Sequence, residues 1–477
     1  MDDKKSAKKQ NSDAPASNKK EEQGLNKIKS SVFSRGLSIA KITLQTGASV
    51  AQHGVTTVLK SKEFKEANWK KLLETQASNI SAELGQLKGS LMKAGQMLSM
   101  YGEHFLPPEA NEFLKSLQSD SPSLNWSAIE KRLKELLPEE KLAQLEIEKE
   151  ALASASMGQV HRAKIKATGE LIVLKIQYPN VDKAIDSDLR AIKTMLSTLK
   201  LIPKDFNTDS LFAEIREMLV QETDYIQEAN ATEDYHRRLD GDHRFIVPKV
   251  YREYSGSKIL ATSFERGLRA DDPVIQSLPQ ERRNRLAVNF LDLYFKEIFE
   301  WGVVQTDPHS GNYRIRIDPQ GHDQLILLDF GATRTYDENF LGPYRQMVKG
   351  SLYNDRKVFT DAALKLGFVR ETDSAELRSV FEAFCFETVE PFIEHGDPRN
   401  SLGRIDAQGN YDWKNTDLPQ RLSKKVFQIA RQFSFRTPPR EIIFLDRKTG
   451  GVFIFLSILK AKMRGRDLLL KYLNKVD

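Results

Sequence analysis

Asp307 and Asn312, in the segment VQTDPHSGNY (Val304–Tyr313), precede Asp329, in LILLDFG (Leu325–Gly331). These residue types, in this order, suit phosphoryl transfer. In that chemistry one carboxylate orients the acceptor and receives its proton. An amide oxygen and a second carboxylate hold the Mg2+ that bridges the phosphates of ATP. Asp307 is the candidate for the first role, Asn312 and Asp329 for the metal ligands. Either segment alone is a weak signal. The two in order, the second on an apolar strand-like run, are much stronger.

A nucleotide site also needs a cation and a phosphate-facing loop, and both have candidates upstream. Leu171–Tyr178 reads LIVLKIQY, a strand pattern with one lysine in its middle. Lys175 is costly there unless it reaches water at a sheet edge or meets an anion. A protein kinase places such a strand lysine against the phosphates and pairs it with a helix glutamate. The amphipathic stretch Phe212–Asn230 offers Glu222 and Glu228. Where a protein kinase has GxGxxG, this chain has ASASMGQV (Ala153–Val160), with Gly158 as its single glycine. Fewer glycines mean fewer positions where backbone N–H groups can approach phosphates closely.

Further upstream, Gly85–Tyr101 (GQLKGSLMKAGQMLSMY) has helical periodicity despite Gly85, Gly89 and Gly95. Each glycine weakens a helix by roughly 1 kcal/mol relative to Ala, which predicts that another element packs tightly against it. Lys93 and Gln96 are three residues apart and share one face.

Together these segments carry a resemblance. KxGQ (Lys93–Gln96), the Ala-rich loop running into SxGQVHRA (Ser156–Ala163), ETDYxxEA (Glu222–Ala229), QTDPHxGN (Gln305–Asn312) and DFG (Asp329–Gly331) occur in that order. The chain resembles the UbiB-like atypical kinase family, which includes UbiB, AarF and the ADCK proteins, most strongly over about Lys60–Gly350. The resemblance implies an α+β, two-lobed protein-kinase-like fold with an N-terminal helical extension folded over the site. It implies ATP and Mg2+ as cofactors. By the same resemblance Ala155 tunes nucleotide preference, with Ser156 and Gly158 beside it at the nucleotide. Glu222 partners Lys175, and Glu228 faces the extension. Lys93 and Gln96 point into the site and restrain phosphoryl transfer to proteins. The implied role is support of isoprenoid-quinone (ubiquinone) biosynthesis or membrane-lipid homeostasis, with a quinone-precursor or lipid ligand. A small-molecule kinase of the aminoglycoside or choline type, and a nucleotide-binding scaffold with little turnover, stay open as alternatives.

Departures from the protein-kinase pattern bear on mechanism. Thr306 stands where HRD has Arg, and no APE-like motif follows Asp329 at the usual distance. Activation-loop phosphorylation is therefore not the expected switch. His309 reads as a local structural residue, and Ser154 falls where the family often has Ala.

At 477 residues the chain can bury a two-lobed core plus an extension. Its net charge of +6 makes no case for nucleic acid. The lone cysteine, Cys385, excludes an intramolecular disulfide framework and fits a reducing cytoplasm. No apolar window is long enough to span a bilayer. The expected organisation is a disordered tail at 1–28, a helical extension at 29–143, an N-lobe with an inserted helix at 144–267, and a C-lobe at 268–477. Phe245–Val250 and Lys258–Phe264 read as the last N-lobe strands and Glu265–Gly267 as the hinge. The basic, leucine-rich C-terminus reads either as a helix docked on the C-lobe or as a peripheral contact at the inner face of a membrane. Asp446, Arg447 and Lys448 receive no role from the sequence.

Overall fold

The computed structural model describes residues 89–105, 110–111, 114–115, 117, 123–155, 157–198, 208–432 and 440–474. The tail at 1–28, Gly85 and Ser156 lie outside them.

The N-terminal lobe is built on a four-stranded antiparallel sheet in the order β1-β2-β3-β5: β1 (Leu145–Ser154), β2 (Gly158–Ile165), β3 (Leu171–Gln177) and β5 (Ile259–Ser263). In β3, Ile172, Leu174 and Ile176 are buried, while Leu171, Val173 and Lys175 are only partly covered. The period of two thus turns Lys175 away from the apolar core and toward the cleft. The Ala-rich stretch is less a loop than the end of a hairpin. Ala153 pairs with Val160, Ser154 pairs with Gln159, and the Ala155 N–H donates to the Gly158 carbonyl.

Helices α1 (Ser90–Phe105), α4 (Val181–Thr198) and α5 (Thr208–Glu222) pack with this sheet; α2 (Trp126–Leu136) and α3 (Glu139–Ala143) lead into β1. The glycines of the KxGQ stretch mark close approaches. A Cβ at Gly89, whose φ is +103°, would stand 2.8 Å from Val181, and one at Gly95 2.8 Å from Leu117. Ser90 Oγ donates to the buried Asp188 at 2.5 Å, tying α1 to α4.

The amphipathic stretch expected over Phe212–Asn230 is two helices. It breaks after Glu222, and Asp224 caps α6 (Tyr225–Arg238) by accepting from the N–H groups of Ile226 and Gln227. An Asp side chain that satisfies two otherwise orphaned N–H groups favours a new helix start over continuation. A second difference concerns β4 (Phe245–Ile246). It pairs in parallel with β8 (Gln324–Leu327), itself antiparallel to β7 (Tyr313–Arg316), so it joins the sheet carrying the site residues rather than the N-lobe sheet.

The C-terminal lobe is helical. After the short α7 (Pro273–Gln276), α8 (Gln280–Phe295) runs into a π-helical turn at Lys296–Trp301. The two-stranded ladder of β6 (Val303–Gln305) and β9 (Thr333–Thr335) brackets the Asp307 and Asp329 segments. Then come α9 (Glu338–Tyr353), α10 (Arg356–Lys365), α11 (Ala375–Thr388), β10 (Tyr411–Asp412), α12 (Leu418–Gln432), α13 (Arg440–Ile458), β11 (Lys462–Met463) and α14 (Arg466–Leu473). The basic C-terminus is docked. Leu469, Tyr472 and Leu473 are buried, and Arg466 and Lys471 pair with Glu394 and Asp292. No helix among the described residues is long and apolar enough to cross a membrane.

Candidate active site

The lobes enclose a cleft of about 860 Å³, with Ala153, Ala155, Val160 and Val173 on the N-lobe side and Asn312 and Asp329 on the other. At its inner end Lys175 Nζ donates to both carboxylate oxygens of Glu228, at 2.6 and 2.9 Å, and to Asp329 at 3.2 Å. The same ammonium lies 5.2 Å from the centre of the Tyr225 ring. Burial alone would favour losing the Lys175 proton, but Asp329 and Glu228 outweigh it and hold the pKa well above the ordinary value. Burial lifts Glu228 to about 7 in spite of the lysine. Burial also opposes ionisation of Asp329, yet Lys175, the Gly331 N–H and Lys93 keep it below the usual carboxylate range.

This geometry corrects the expected pairing. The partner of Lys175 is Glu228, not Glu222. Glu222 instead accepts from Lys93 at 2.6 Å, so it is Glu222 that meets the N-terminal extension. The helix break explains the exchange. Glu222 ends α5, beside α1, while Glu228 sits in the first turn of α6, facing β3. Lys93 also feels the core of the site: burial opposes its charge, and Glu222, Asp307 and Asp329 more than restore it. Gln96, on the same helix, is partly buried and makes no side-chain hydrogen bond among the described residues.

Asp307 and Asn312 are brought together as the motif requires. Asn312 Nδ2 donates to the Asp307 carbonyl at 3.1 Å and to its carboxylate at 3.2 Å. His309 caps the intervening 3-10 turn by accepting from the Gly311 N–H, a local structural role. Thr306 is buried and donates to the Ala332 carbonyl, stitching this segment to the one after Asp329. Gly158 departs from expectation, because it is buried and does not line the cleft. A Cβ there would stand 2.7 Å from the Ile176 carbonyl and 2.9 Å from the Tyr225 hydroxyl, so packing requires the glycine.

Three further residues complete the site. Arg447, on α13, donates to Asp307 Oδ1 at 2.5 Å. Beside it Lys448 pairs at 2.7 Å with Glu297, both essentially inaccessible to solvent, and Tyr235 donates to the same carboxylate. Gln305 is buried and bridges the two halves of the motif: its Nε2 donates to the carbonyls of Asp307 (2.8 Å) and Asp329 (3.3 Å). Gly451 lets α13 lie flush on Pro308, to which a Cβ would come within 2.3 Å. Gln305 stood inside a motif, but Arg447 lies 140 residues from its partner. No local signal could have paired them.

A profile of the ABC1 atypical kinase-like domain matches residues 116–363. The chain belongs to the ABC1 atypical kinase-like family. Among its relatives, the atypical kinase COQ8, mitochondrial, of Saccharomyces cerevisiae is 29% identical over 91% of this chain and 83% of its own length. Coq-8 of Caenorhabditis elegans is 30% identical over 82% of this chain, and COQ8B of Danio rerio 30% over 84%. This chain spans 50% and 62% of those two proteins. The structure of Mycobacterium tuberculosis Rv3197 in complex with erythromycin covers 86% of this ABC1 chain, and 98% of that one, at a TM-score of 0.55 and 24% identity. That likeness shows the fold: mixed α+β and kinase-like, as the motifs led one to expect.

Proposed function

We propose that this ABC1-family protein binds Mg-ATP in the interlobe cleft and acts as an atypical kinase or slow ATPase beneath a helical lid. The observation that carries the reading is the position of Lys175, held between Glu228 and Asp329 at the inner end of the cleft. A charged lysine there is placed to receive the α- and β-phosphates. The donor set suits magnesium. Asn312 spends its Nδ2 on Asp307 and keeps its oxygen, and Asp329 is a hard carboxylate; such sites take one or two protein ligands, with phosphates and water completing the shell. Bound Mg2+ would neutralise phosphate charge and polarise the transferred group.

The protein's own groups then have distinct tasks. Glu228 orients Lys175, Asp307 receives the acceptor proton, and Gln305 keeps the Asp307 and Asp329 segments in register. Two contacts work against rapid turnover. Arg447 occupies one oxygen of Asp307, and the Lys93–Glu222 bridge holds α1 against the end of α5. A lid of this kind leaves little room for a protein acceptor and favours water or a small, lipid-like one. In keeping with the family resemblance, we place the activity in isoprenoid-quinone biosynthesis or membrane-lipid homeostasis, at a membrane surface.

The test is ATP hydrolysis by the purified chain with and without anionic liposomes and a quinone-headgroup mimic. Stimulation by either is expected. Asp329→Asn is expected to abolish magnesium-dependent ATP binding, and unchanged affinity in that variant would remove the assignment of the site.

A further inference from the structure

The cleft is electrically lopsided in a way that ATP alone does not explain. Its inner end holds the groups just described, where a triphosphate and metal would sit. The opposite, hinge end would receive the uncharged base and ribose of ATP, yet it is rich in guanidinium groups. Two of these are matched by a carboxylate of their own. Arg162 bonds Glu148 at 2.6 and 2.9 Å, and Arg316 bonds Glu265 at 2.6 Å. Arg266 and Arg314 also line the cleft, and among the described residues neither has a carboxylate within ion-pair distance.

Arg314 is the more telling of the two. It lies two residues beyond Asn312 on β7, opposite Ile326, and the hinge glycine Gly267 is so close that a Cβ there would stand 2.8 Å from the Arg314 Cβ. Its backbone is thus bracketed by the metal-binding turn on one side and the hinge on the other, the stretch of cleft floor that a nucleotide's ribose would cross. Its Nη1 donates to the carbonyls of Gly311 and Tyr313, both at 2.8 Å, which anchors the side chain while leaving its charge uncompensated. A half-buried, anchored guanidinium with no carboxylate partner is stabilised by an anion with several oxygens, and phosphate is the group whose geometry a guanidinium fork matches.

We propose that the hinge end of the cleft is a second anion subsite, built on Arg314 with Arg266, for a phosphate carried on the ribose of the bound nucleotide. The ligand class is a purine nucleotide phosphorylated at the 2′ or 3′ position as well as the 5′ position. The subsite rests on the nucleotide-binding reading and refines it.

The experiment compares 5′-AMP with adenosine 2′,5′-bisphosphate and adenosine 3′,5′-bisphosphate, by calorimetry on the full chain with magnesium, with ATP as the reference ligand. One bisphosphate is expected to bind about tenfold or more tightly than AMP, the scale of a charge-assisted contact. Arg314→Gln is expected to bring that ratio close to one, while Arg314→Lys keeps part of it. Arg266→Ala, on the exposed hinge where folding is not at risk, is expected to lower it too. If ATP binds but neither bisphosphate outperforms AMP, or if the advantage survives in both Arg314→Gln and Arg266→Ala, the subsite is overturned. If ATP itself fails to bind, the nucleotide reading fails and the subsite falls with it.

Discussion

Exchanging the two glutamates one at a time separates their roles. Glu228→Gln removes the negative charge that holds Lys175 through contacts of 2.6 and 2.9 Å, leaving Asp329 at 3.2 Å as the anion beside it. The amide keeps the shape but loses the charge, and its NH2 group can no longer accept from the ammonium. Hydrogen bonds to charged groups contribute about 1.5–3 kcal/mol each when buried. One of the two contacts survives through the amide oxygen, so the expected destabilisation is roughly 2–3 kcal/mol. ATP affinity is expected to fall about tenfold or more, because Lys175 loses its orientation. Glu222→Gln breaks a single contact to Lys93 in which Glu222 is 26% exposed. Its cost to stability is at most about 1 kcal/mol, the range of partly solvated pairs. Loosening α1 is expected to raise ATP turnover. Urea unfolding gives the stabilities, and ATP titration with steady-state hydrolysis gives the rest. If Glu222→Gln cost as much ATP affinity as Glu228→Gln, the assignment of Glu228 to Lys175 would be refuted.

Three other outcomes follow from the same geometry. Arg447→Ala frees the carboxylate oxygen of Asp307 that the guanidinium occupies, so ATP hydrolysis is expected to rise; a drop in kcat at unchanged KM would show that Arg447 positions Asp307 instead. Gly451→Ala drives a methyl group into Pro308, where the gap is 2.3 Å, and is expected to cost about 1–3 kcal/mol in urea unfolding and to slow turnover by displacing the Asp307 segment. Asp446 sits where burial raises its pKa to about 7 from the model-compound 3.8. Between those values the folded chain keeps a proton that the unfolded chain has released, so this residue makes stability fall as pH rises from about 4 to 7. The loss is at most roughly 4 kcal/mol, and smaller to the extent that solvent reaches the carboxylate. Asp446→Asn is therefore expected to raise the urea midpoint at pH 8 and to leave it unchanged near pH 4.

The order of motifs, the apolar run around Lys175 and the glycines of the KxGQ stretch were all legible before any coordinates. Each is a local pattern whose physical cause acts within one element. Period-two burial turns Lys175 to the cleft, and a helix carries glycine against its propensity where a neighbour such as Val181 presses on it. The spacing from Asp307 to Asn312 is likewise satisfied within one turn. The Ala-rich segment was legible as altered but not as a hairpin end, because alanine encodes no register of its own.

The sequence by itself determined the family, the kinase-like two-lobed plan and the candidates for the site, since these follow from residue type, order and periodicity. Only the tertiary structure decided which glutamate meets which lysine. Glu222 and Glu228 are six residues apart, and a single capping residue, Asp224, sends them to different neighbours. Only the tertiary structure brought Arg447 to Asp307 and Lys448 to Glu297, for these pairings depend on how α13 lies across the lobe. Charge placement between distant segments is set by packing, and packing is a property of the folded chain as a whole.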